Sequence, residues 1–382
     1  MANQGLVKRI TRARVLGAIR RQQPVSRSAL ADHLGLDRKS LTNLAQELLS
    51  EGLIREAGRR QSGRGRPQTL LALDLSSPGV AGLAIDADRI SGVLLDIGGG
   101  CRSTRRVALG AQAGIAEILA GVGEVYAALG AVAAGRLRGV GVAAPGIVDM
   151  GTGVLQRSVN LPALEGLDLR VALGRVLPGP LQLAESSPAK ALAEKWFGLA
   201  QGVANFVCID LGVGIGAGLV QDRRPYMPAG GYAGEIGHVM VDPQGPLCRC
   251  GHRGCLEACI SERRLLARIN AAEGAAWSGL DEVGEVTARS RPILEEAGYR
   301  LGLALAYLTN IICPPMIILN GSLLRYEGVV MPAIERGLEE GALADCRARV
   351  RLVVSTLAEA GAMGAAARAL AEVYEVDGLV QV

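Results

Sequence analysis

The most constraining feature of this sequence is a cluster of cysteine and histidine between residues 235 and 257. Three of the eight cysteines fall within eight residues, and a histidine precedes the first of them by ten: His238, Cys248, Cys250 and Cys255. Three thiolates and one imidazole complete the tetrahedral coordination of Zn²⁺ and leave no open position, which is typical of a structural site. In a reducing compartment such clustering favours a metal over disulfides. The segment therefore predicts a zinc site, for which His252 and Cys259 are competing ligands.

The chain of 382 residues is long enough for two or three domains. Its 49% apolar and 20% charged content excludes wholesale disorder and allows a large core, which the 3% aromatic content assigns to aliphatic residues. Residues 301–324 carry no charge, but Asn310 and the pair Pro314-Pro315 would break a membrane-spanning helix. We interpret this stretch as a buried helix followed by a buried strand. No apolar segment typical of a secretory signal follows the first basic residues, so we expect a soluble, cytoplasmic protein.

Charge is distributed unevenly along the chain. Residues 1–70 hold 14 Lys and Arg against 5 Asp and Glu, a balance of +9. The remainder holds 27 against 32, a balance of −5, and the two sum to the net charge of +4. A basic head on a mildly acidic body indicates that the head binds a polyanion and the body does not.

The head has the pattern of a helix-turn-helix. Residues 7–20 have apolar positions at helical spacing, and Ser26 is a candidate N-cap for a second, short helix. Gly35 supplies the turn, and Asp37 can cap a third helix, which in this motif reads DNA. The start of that helix offers donors suited to phosphates and base edges: Arg38, Lys39, Ser40, Thr42 and Asn43.

A basic loop follows the third helix. Residues 59–67 read Arg-Arg-Gln-Ser-Gly-Arg-Gly-Arg-Pro and lie between two segments that have the composition of strands. A basic hairpin at this place is typical of the wing of a winged helix-turn-helix, and Arg64 and Arg66 at its tip could enter a minor groove. The alternative is a plain interdomain linker. We assign residues 1–75 to a DNA-binding domain that we expect to bind an inverted repeat as a dimer or a dimer of dimers.

Residues 76–382 form a Gly/Ala-rich body of the α/β class. Short apolar runs alternate with amphipathic helical segments, as in sheets with crossover helices. The predicted strands are residues 80–85, 93–96, 139–144, 206–211 and 316–319, and the predicted helices are 115–129, 187–196 and 358–374. A Gly-rich loop at residues 210–218 could approach a phosphate or sugar closely, or could simply turn a hairpin.

The sequence closely resembles the ROK family, which joins sugar kinases and sugar-responsive repressors. The resemblance covers essentially the whole chain and is carried by these segments: Glu235-x-Gly-His238, Cys248-x-Cys250-Gly-x-x-Gly-Cys255-Leu-Glu257, Gly141-Val-Ala-Ala-Pro145-Gly146-Ile-Val-Asp149, Asn160-Leu-Pro, Ala193-Glu194-x-Trp-Phe-Gly198, the 212–218 loop and Ile318-Leu-Asn-Gly321. It implies an actin/hexokinase-like (ribonuclease H-like) body of two α/β lobes. It places the zinc ligands on His238, Cys248, Cys250 and Cys255, and the sugar contacts on Asn160, Glu235, His238 and Glu257.

Two departures from the family's kinases concern catalysis. Their first strand ends in Asp-x-Gly-Gly-Thr-Lys, which cradles ATP phosphates, whereas residues 85–90 here read Ile-Asp-Ala-Asp-Arg-Ile. The later Gly98-Gly99-Gly100 follows another strand and does not replace that turn. Where the kinases have an Asn-Asp pair whose Asp is the general base, this chain has Glu185-Ser186, and serine cannot take the proton at neutral pH. Repressors of the family often keep that Asp to hold the sugar, so its absence also bears on hexose binding.

These observations favour a DNA-binding regulator, in keeping with a repressor of carbohydrate genes, whose body senses a sugar or sugar derivative and has no catalytic residues. The first alternative is an ATP-dependent sugar kinase with an added basic head, which the two degenerate motifs disfavour. The second is a regulator whose body is only a dimerisation platform. Such a body would not need Asn160, Glu235, His238 and Glu257.

Overall fold

The structure is a computed structural model that describes residues 2–61, 67–110, 112–135, 137–228 and 232–374. Its residues group into two compact units, one of residues 1–143, 170–184 and 365–382, the other of residues 144–169 and 185–364. The predicted DNA-binding head therefore groups with the first part of the body. The predicted boundary between residues 75 and 76 stays a prediction.

The head consists of three helices and a three-stranded sheet. Its elements are α1 (Ala2–Gln22), β1 (Val25–Ser26), α2 (Arg27–Leu34), α3 (Arg38–Ser50), β2 (Ile54–Arg60) and β3 (Gln68–Leu73), with strand order β1-β3-β2. Both predicted caps are present. The Ser26 hydroxyl accepts the Ala29 N–H at 3.2 Å, and the Asp37 carboxylate accepts the N–H groups of Lys39 and Ser40 at 2.9 Å. Gly35 ends α2 in the left-handed conformation, with φ 65°, as the predicted turn requires.

The sheet of the first unit is centred on a fully buried strand. Its elements are β4 (Val80–Ile85), β5 (Arg89–Leu95), β6 (Cys101–Ala108), α4 (Ile115–Val132), β7 (Gly139–Ala144), α5 (Leu169–Gly174) and β10 (Leu181–Glu185), with strand order β10-β7-β4-β5-β6. β4 pairs antiparallel with β5 and parallel with β7. Because β4 is covered on both faces, it is a continuous apolar run without alternation, which is why the sequence predicted it to the residue.

Helix α4 packs against β4, β5 and β6. Among the described residues it is the one helix long and apolar enough to cross a membrane by length and composition. A helix that packs against a sheet can have the same length and composition, since the face that it packs with must be apolar.

The second unit is built around another five-stranded sheet. Its strands are β8 (Ile147–Val148), β9 (Leu155–Arg157), β11 (Phe206–Leu211), β12 (Ile215–Gln221), β13 (Arg224–Pro225), β14 (Met316–Gly321) and β15 (Arg351–Val354). The large sheet has the order β13-β12-β11-β14-β15, while β8 and β9 form a separate pair. The helices are α6 (Ser186–Phe197), α7 (Leu256–Ile260), α8 (Glu262–Glu273), α9 (Arg291–Ile312), α10 (Glu327–Gly341) and α11 (Ala344–Arg347). The last helix, α12 (Ala360–Val373), begins in this unit and belongs to the first unit from residue 365 onward. The uncharged stretch at 301–324 is the last part of α9 followed by β14, so the predicted helix and strand are both present. Most of β14 is buried as predicted, but the end of α9 is not, since Tyr307, Ile311 and Ile312 are exposed.

Successive residues of β11 face two different cores. Val207, Ile209 and Leu211 join a large cluster with α7, α8, α9 and α10. Phe206 and Cys208 join a smaller cluster that includes Ala191 of α6. Since side chains of a strand alternate between its faces, β11 is covered on both sides and positions the hairpin that follows it.

A substitution at Gly141 of β7 can test the packing of the first unit. A Cβ at this position would lie 1.8 Å from the carbonyl oxygen of Ala365 in α12, so Gly141→Ala should displace backbone and lower the melting temperature by about 10 °C or more. Gly130→Ala in α4 is the matched control, because no atom lies within 4 Å of its added Cβ. The control should melt at the wild-type temperature or slightly above it, since alanine favours a helix. Equal melting temperatures for both variants would contradict the packing.

Candidate functional site

The four predicted metal ligands lie together in the second unit. The ligand atoms of His238, Cys248, Cys250 and Cys255 all lie within 4.8 Å of one another. Nδ1 of His238 is 3.7 Å from Sγ of Cys248, and Sγ of Cys250 is 3.6 Å from Sγ of Cys255. Thiolates bound to one tetrahedral ion at about 2.3 Å stand roughly 3.8 Å apart. The spacing therefore fits a single metal ion that all four residues could hold.

Tight backbone turns bring these ligands together. The Cys248 N–H donates to the His252 carbonyl at 2.7 Å, and the Gly251 N–H donates back to the Cys248 carbonyl at 3.0 Å. Gly254 has φ 66°, and a Cβ there would lie 1.5 Å from the Asp242 carbonyl oxygen. Only glycine fits this approach, which places Cys255 at the start of α7.

The two competing ligands differ in position. Nδ1 of His252 is 3.5 Å from Sγ of Cys250, so this ring lies beside one ligand of the cluster. Cys259 is buried and faces Arg300.

Burial raises the pKa of the Cys250 thiol, but hydrogen bonds from His252, Cys248 and Cys255 outweigh burial and bring the pKa to about 6. A thiol with a low pKa is readily available as a thiolate ligand.

The predicted sugar contacts Asn160 and Glu257 meet at the Gly-rich loop. The loop is the hairpin turn between β11 and β12, where the Gly212 N–H donates to the Gly214 carbonyl at 3.0 Å. A Cβ on Gly214 would lie 2.6 Å from Nδ2 of Asn160 and 3.3 Å from Oε2 of Glu257. Glu257 is buried, and its Oε2 accepts the Ile215 N–H at 2.9 Å. The absence of a side chain at Gly214 therefore lets Asn160 and Glu257 approach the turn this closely.

Glu235 and His238, the other two predicted sugar contacts, lie side by side, and His238 is also one of the four predicted metal ligands. Oε2 of Glu235 is 3.7 Å from Nε2 of His238, whose other ring nitrogen faces Cys248. Burial, together with the charge of Glu257, raises the pKa of Glu235, while His238 and Arg157 oppose the rise. At 3.7 Å the two groups are in contact but not hydrogen-bonded, and a carboxylate beside the second nitrogen of a ligand imidazole favours this orientation of the ring.

A cavity of about 330 Å³ opens beside this group. Asn160 and Glu257 line it, whereas Glu235 and His238 are not among its described lining residues. Val213 of the hairpin turn and Ser261 before α8 also line it, together with the arginines Arg249, Arg263 and Arg264. Its volume suits a ligand of monosaccharide size.

The carboxyl group of Glu185, which stands in the place of the first residue of the kinases' Asn-Asp pair, is a buried part of this region. Oε1 of Glu185 accepts the Val148 N–H at 2.8 Å. Burial raises the pKa of Glu185 to about 7, the Val148 N–H opposes the rise, and the charge of Glu235 adds to it. The neighbouring Ser186 hydroxyl is buried without a hydrogen-bond partner in the described part of the chain. The two residues in place of the Asn-Asp pair therefore present a carboxyl group held by backbone and an unsatisfied hydroxyl.

Sequence reasoning also missed a buried ion pair at this hairpin. Nζ of Lys190 on α6 lies 2.5 Å from Oδ1 of Asp210 at the end of β11, and both side chains are largely buried. The sequence pattern of α6 did not indicate this ion pair, because a lysine at position 190 is equally compatible with an exposed face of the helix.

The predicted DNA contacts of the head are exposed where the structure describes them. All five residues at the start of α3 are exposed: Arg38, Lys39, Ser40, Thr42 and Asn43. The predicted basic hairpin is formed by β2 and β3, with Arg59 opposite Thr69 and Arg60 opposite Gln68. Arg64 and Arg66 lie outside the described residues.

A three-helix head with a β-hairpin, joined to two sheets that each carry crossover helices, defines a winged helix-turn-helix module on an actin/hexokinase-like body. The chain belongs to the ROK family, whose model matches residues 80–372. The head precedes the matched residues.

The similar proteins include repressors that span most of this chain. The xylose repressor of Bacillus spizizenii is 27% identical over 345 residues, which cover 87% of this chain and 88% of the repressor. The DNA-binding transcriptional dual regulator NagC of Escherichia coli is 25% identical over 386 residues, covering 96% and 93%.

The similar solved structures include both a regulator and a sugar kinase. A ROK family transcriptional regulator, a homologue of the E. coli MLC protein, superimposes with a TM-score of 0.79 at 26% identity and covers 98% of both chains. The ROK hexokinase of Thermus thermophilus gives a TM-score of 0.60 at 28% identity and covers 77% of this chain and 98% of its own. The regulator thus matches the chain with its head, and the hexokinase matches about three quarters of it.

Cys250→Ser should remove the metal. Protein purified without chelator should carry about one metal ion per chain, and the variant should carry almost none, because one ligand of four is lost. Its melting temperature should fall by about 5 °C or more, since metal binding and folding are coupled. Elemental analysis and thermal unfolding measure both. Cys101→Ser, an exposed cysteine, is the control and should keep its metal, as should His252→Ala. A wild-type protein without metal would refute the site.

Glu185→Gln should change how stability depends on pH. The folded pKa of about 7 lies above the ordinary 4.5, so the folded state holds its proton more tightly and loses stability as pH rises from about 4.5 to 7. Each pKa unit is worth about 1.4 kcal/mol, so the loss amounts to a few kcal/mol. Glutamine carries no charge. The free energy of unfolding of the variant, measured with urea, should therefore rise relative to that of the wild type between pH 5 and pH 8. The exposed Glu124→Gln should follow the wild type, and a parallel course for Glu185→Gln would contradict the raised pKa.

Proposed function

We propose that this protein is a cytoplasmic, sugar-responsive transcriptional repressor that binds duplex DNA and has no kinase activity. The observation that carries the proposal is the exposed, capped start of α3, where five hydrogen-bonding side chains lie on a helix that follows a turn at Gly35. Exposed donors at this place in a helix-turn-helix are what base edges and phosphates require. The relatives named xylose repressor and NagC, and the regulator that matches the whole chain, support it.

The head contacts DNA in two ways under this proposal. The α3 residues Arg38 to Asn43 lie in a major groove, and Arg64 and Arg66 of the wing contact the adjacent minor groove or its phosphates. Two copies of the chain read the two halves of an inverted repeat, since a two-fold assembly matches a two-fold site.

The body binds a sugar or sugar derivative through Asn160, Glu235, His238 and Glu257. The contact of Asn160 and Glu257 at Gly214, and the cavity that they line, support this assignment and disfavour a body that serves only for dimerisation. The names of the relatives point to xylose or N-acetylglucosamine as the first sugars to examine.

Zn²⁺ is the metal that we assign to the cluster. Three thiolates and one imidazole suit its preference for four tetrahedral sulfur and nitrogen ligands, and they leave no position for a reacting water. When bound, the ion supplies no chemistry and holds residues 238–255 in place. His238 then presents its second nitrogen to Glu235, and Cys255 fixes the start of the helix that carries Glu257.

Phosphoryl transfer is disfavoured by residues at two places. β4 runs into a tight turn in which the Asp86 N–H donates to the Arg89 carbonyl, and the sequence of that turn has no glycine or threonine to cradle phosphates. The place of the general base is held by Ser186. Loss of general-base assistance alone is commonly worth about 10²–10⁴ in rate.

The DNA-binding proposal can be tested by the salt dependence of binding. Wild type is first used to select a duplex from a random pool. Replacing Arg64 and Arg66 together by Ala should weaken binding to that duplex and lower the slope of log affinity against log salt by about two, one for each lost phosphate contact. A double variant of exposed arginines in the body, Arg175→Ala with Arg289→Ala, should leave affinity and slope unchanged. Unchanged affinity and slope in the wing variant would show that these residues do not contact DNA.

A further inference from the structure

Arg138, at the entry to β7, holds the end of α3. Its Nη2 donates to the Glu51 carbonyl at 2.8 Å and to the Ser77 hydroxyl at 2.8 Å. Glu51 is the C-cap residue of α3. Arg138 itself directly precedes β7, so this contact joins the proposed recognition helix to the part of the body that lies in the same compact unit, here called the first lobe.

The place of this contact on the helix matters. The last carbonyl groups of a helix have no partner within it, and the helix dipole makes that end favourable for a cation. From the other side, the Glu51 carboxylate accepts both terminal nitrogens of Arg12 on α1, and this pair lowers the pKa of Glu51. One residue at the end of α3 is thus held by the head through its side chain and by the lobe through its backbone.

A second contact ties α1 to the Gly-rich turn between β5 and β6. Nε of Arg20 donates to the Gly98 carbonyl at 3.2 Å, and the Tyr374 hydroxyl donates to the adjacent Ile97 carbonyl at 2.7 Å. Asp96 shapes the turn, because its Oδ1 accepts the N–H groups of Gly98 and Gly100 at 2.9 Å.

The turn meets the chain that leaves the head at Gly98. A Cβ on Gly98 would lie 2.9 Å from Cδ2 of Leu75. The Gly98–Gly100 run, which does not replace the kinase phosphate turn, therefore lies against the head at Gly98.

We infer that Arg138 is a positioning residue for DNA recognition: it fixes the recognition helix to the first lobe, and the 96–100 turn is the second point of attachment. Two contacts and a short covalent connection leave the head little freedom to rotate on that lobe. This inference rests on the proposed DNA-binding function. Beyond that function, we infer that the head and the first lobe move together as one rigid unit.

Hydrogen exchange on the full-length protein tests the attachment without DNA. The N–H groups of Glu51, Gly52 and Leu53 donate to carbonyls in the last turns of α3, so they report on its end. Arg138→Ala should speed their exchange by about tenfold or more, while amides in β4 and β11 keep their wild-type rates. Arg138→Lys should give an intermediate rate, because the ammonium group can still donate to these acceptors but lies at the end of a shorter side chain and cannot take the position of Nη2. Arg175→Ala, an exposed arginine of the same unit, should match the wild type.

DNA binding separates positioning from contact. On a duplex selected with the wild type, Arg138→Ala should bind about 5- to 20-fold more weakly at an unchanged salt slope, since no phosphate contact is lost. Arg38→Ala, in contrast, should lower the slope by about one if it contacts a phosphate.

Three outcomes would overturn the inference. Unchanged exchange at residues 51–53 would show that Arg138 does not hold the helix. Equally accelerated exchange in β4 would make it a general stabiliser, and a slope lowered by about one would make it a DNA contact. If the wild type selects no duplex, the proposed function fails, and the exchange experiment still decides whether the head is attached.

Discussion

The hydrogen bond from the Ile215 N–H to the Glu257 carboxylate connects the parts on which the proposed site depends. Glu257 follows the last metal ligand by two residues, and Ile215 begins the second strand of the central hairpin. The bond therefore joins the metal-binding segment to the sheet. Asn160 reaches the same turn because Gly214 has no side chain. Without a metal to hold Cys255, the position of Glu257 would depend on this bond, on the hydrogen bond from the Leu256 N–H to the Val239 carbonyl and on the packing of α7.

The same arrangement concentrates carboxyl groups. Glu235 and Glu257 interact with each other, and Glu235 also raises the pKa of Glu185. A further carboxylate at residue 186 would add to this repulsion. Serine at that position lowers the local negative charge and leaves a buried hydroxyl without a partner in the described residues. A sugar hydroxyl is a suitable partner for such a group, since it both donates and accepts.

Sequence predicted best what is decided locally. Ser26 and Asp37 cap the two helices as expected, because an N-cap depends only on residues two or three places further on. The buried strands β4, β7 and β11 were predicted to the residue, since burial on both faces leaves a nearly continuous apolar run, which only Asp210 interrupts. The edge strand β6 was missed, because its exposed residues give no such run. The first helix extends beyond the predicted residues at both ends, where polar residues weaken the pattern.

Contacts between distant segments could not be predicted in the same way. The spacing of cysteines indicated the metal cluster, because ligand chemistry limits which residues can serve. Nothing in the pattern around Glu185 indicated that Val148 would donate to it, or that Lys190 and Asp210 would pair. The Gly98–Gly100 run was visible as a motif, but its contact with Arg20 spans 78 residues and depends on the folded sheet.

The central claim is that sugar binding in the body controls DNA binding by the head. The most direct measurement is the affinity of the full-length protein for its selected duplex, by fluorescence anisotropy, with and without each member of a panel of pentoses, hexoses and amino sugars. The account predicts that at least one sugar changes this affinity by about tenfold or more, which is a coupling of roughly 1.4 kcal/mol. Replacing Glu257 by Gln should abolish the response while DNA affinity without sugar is kept. An affinity that no sugar changes, in a protein that binds its duplex well, would contradict the claim.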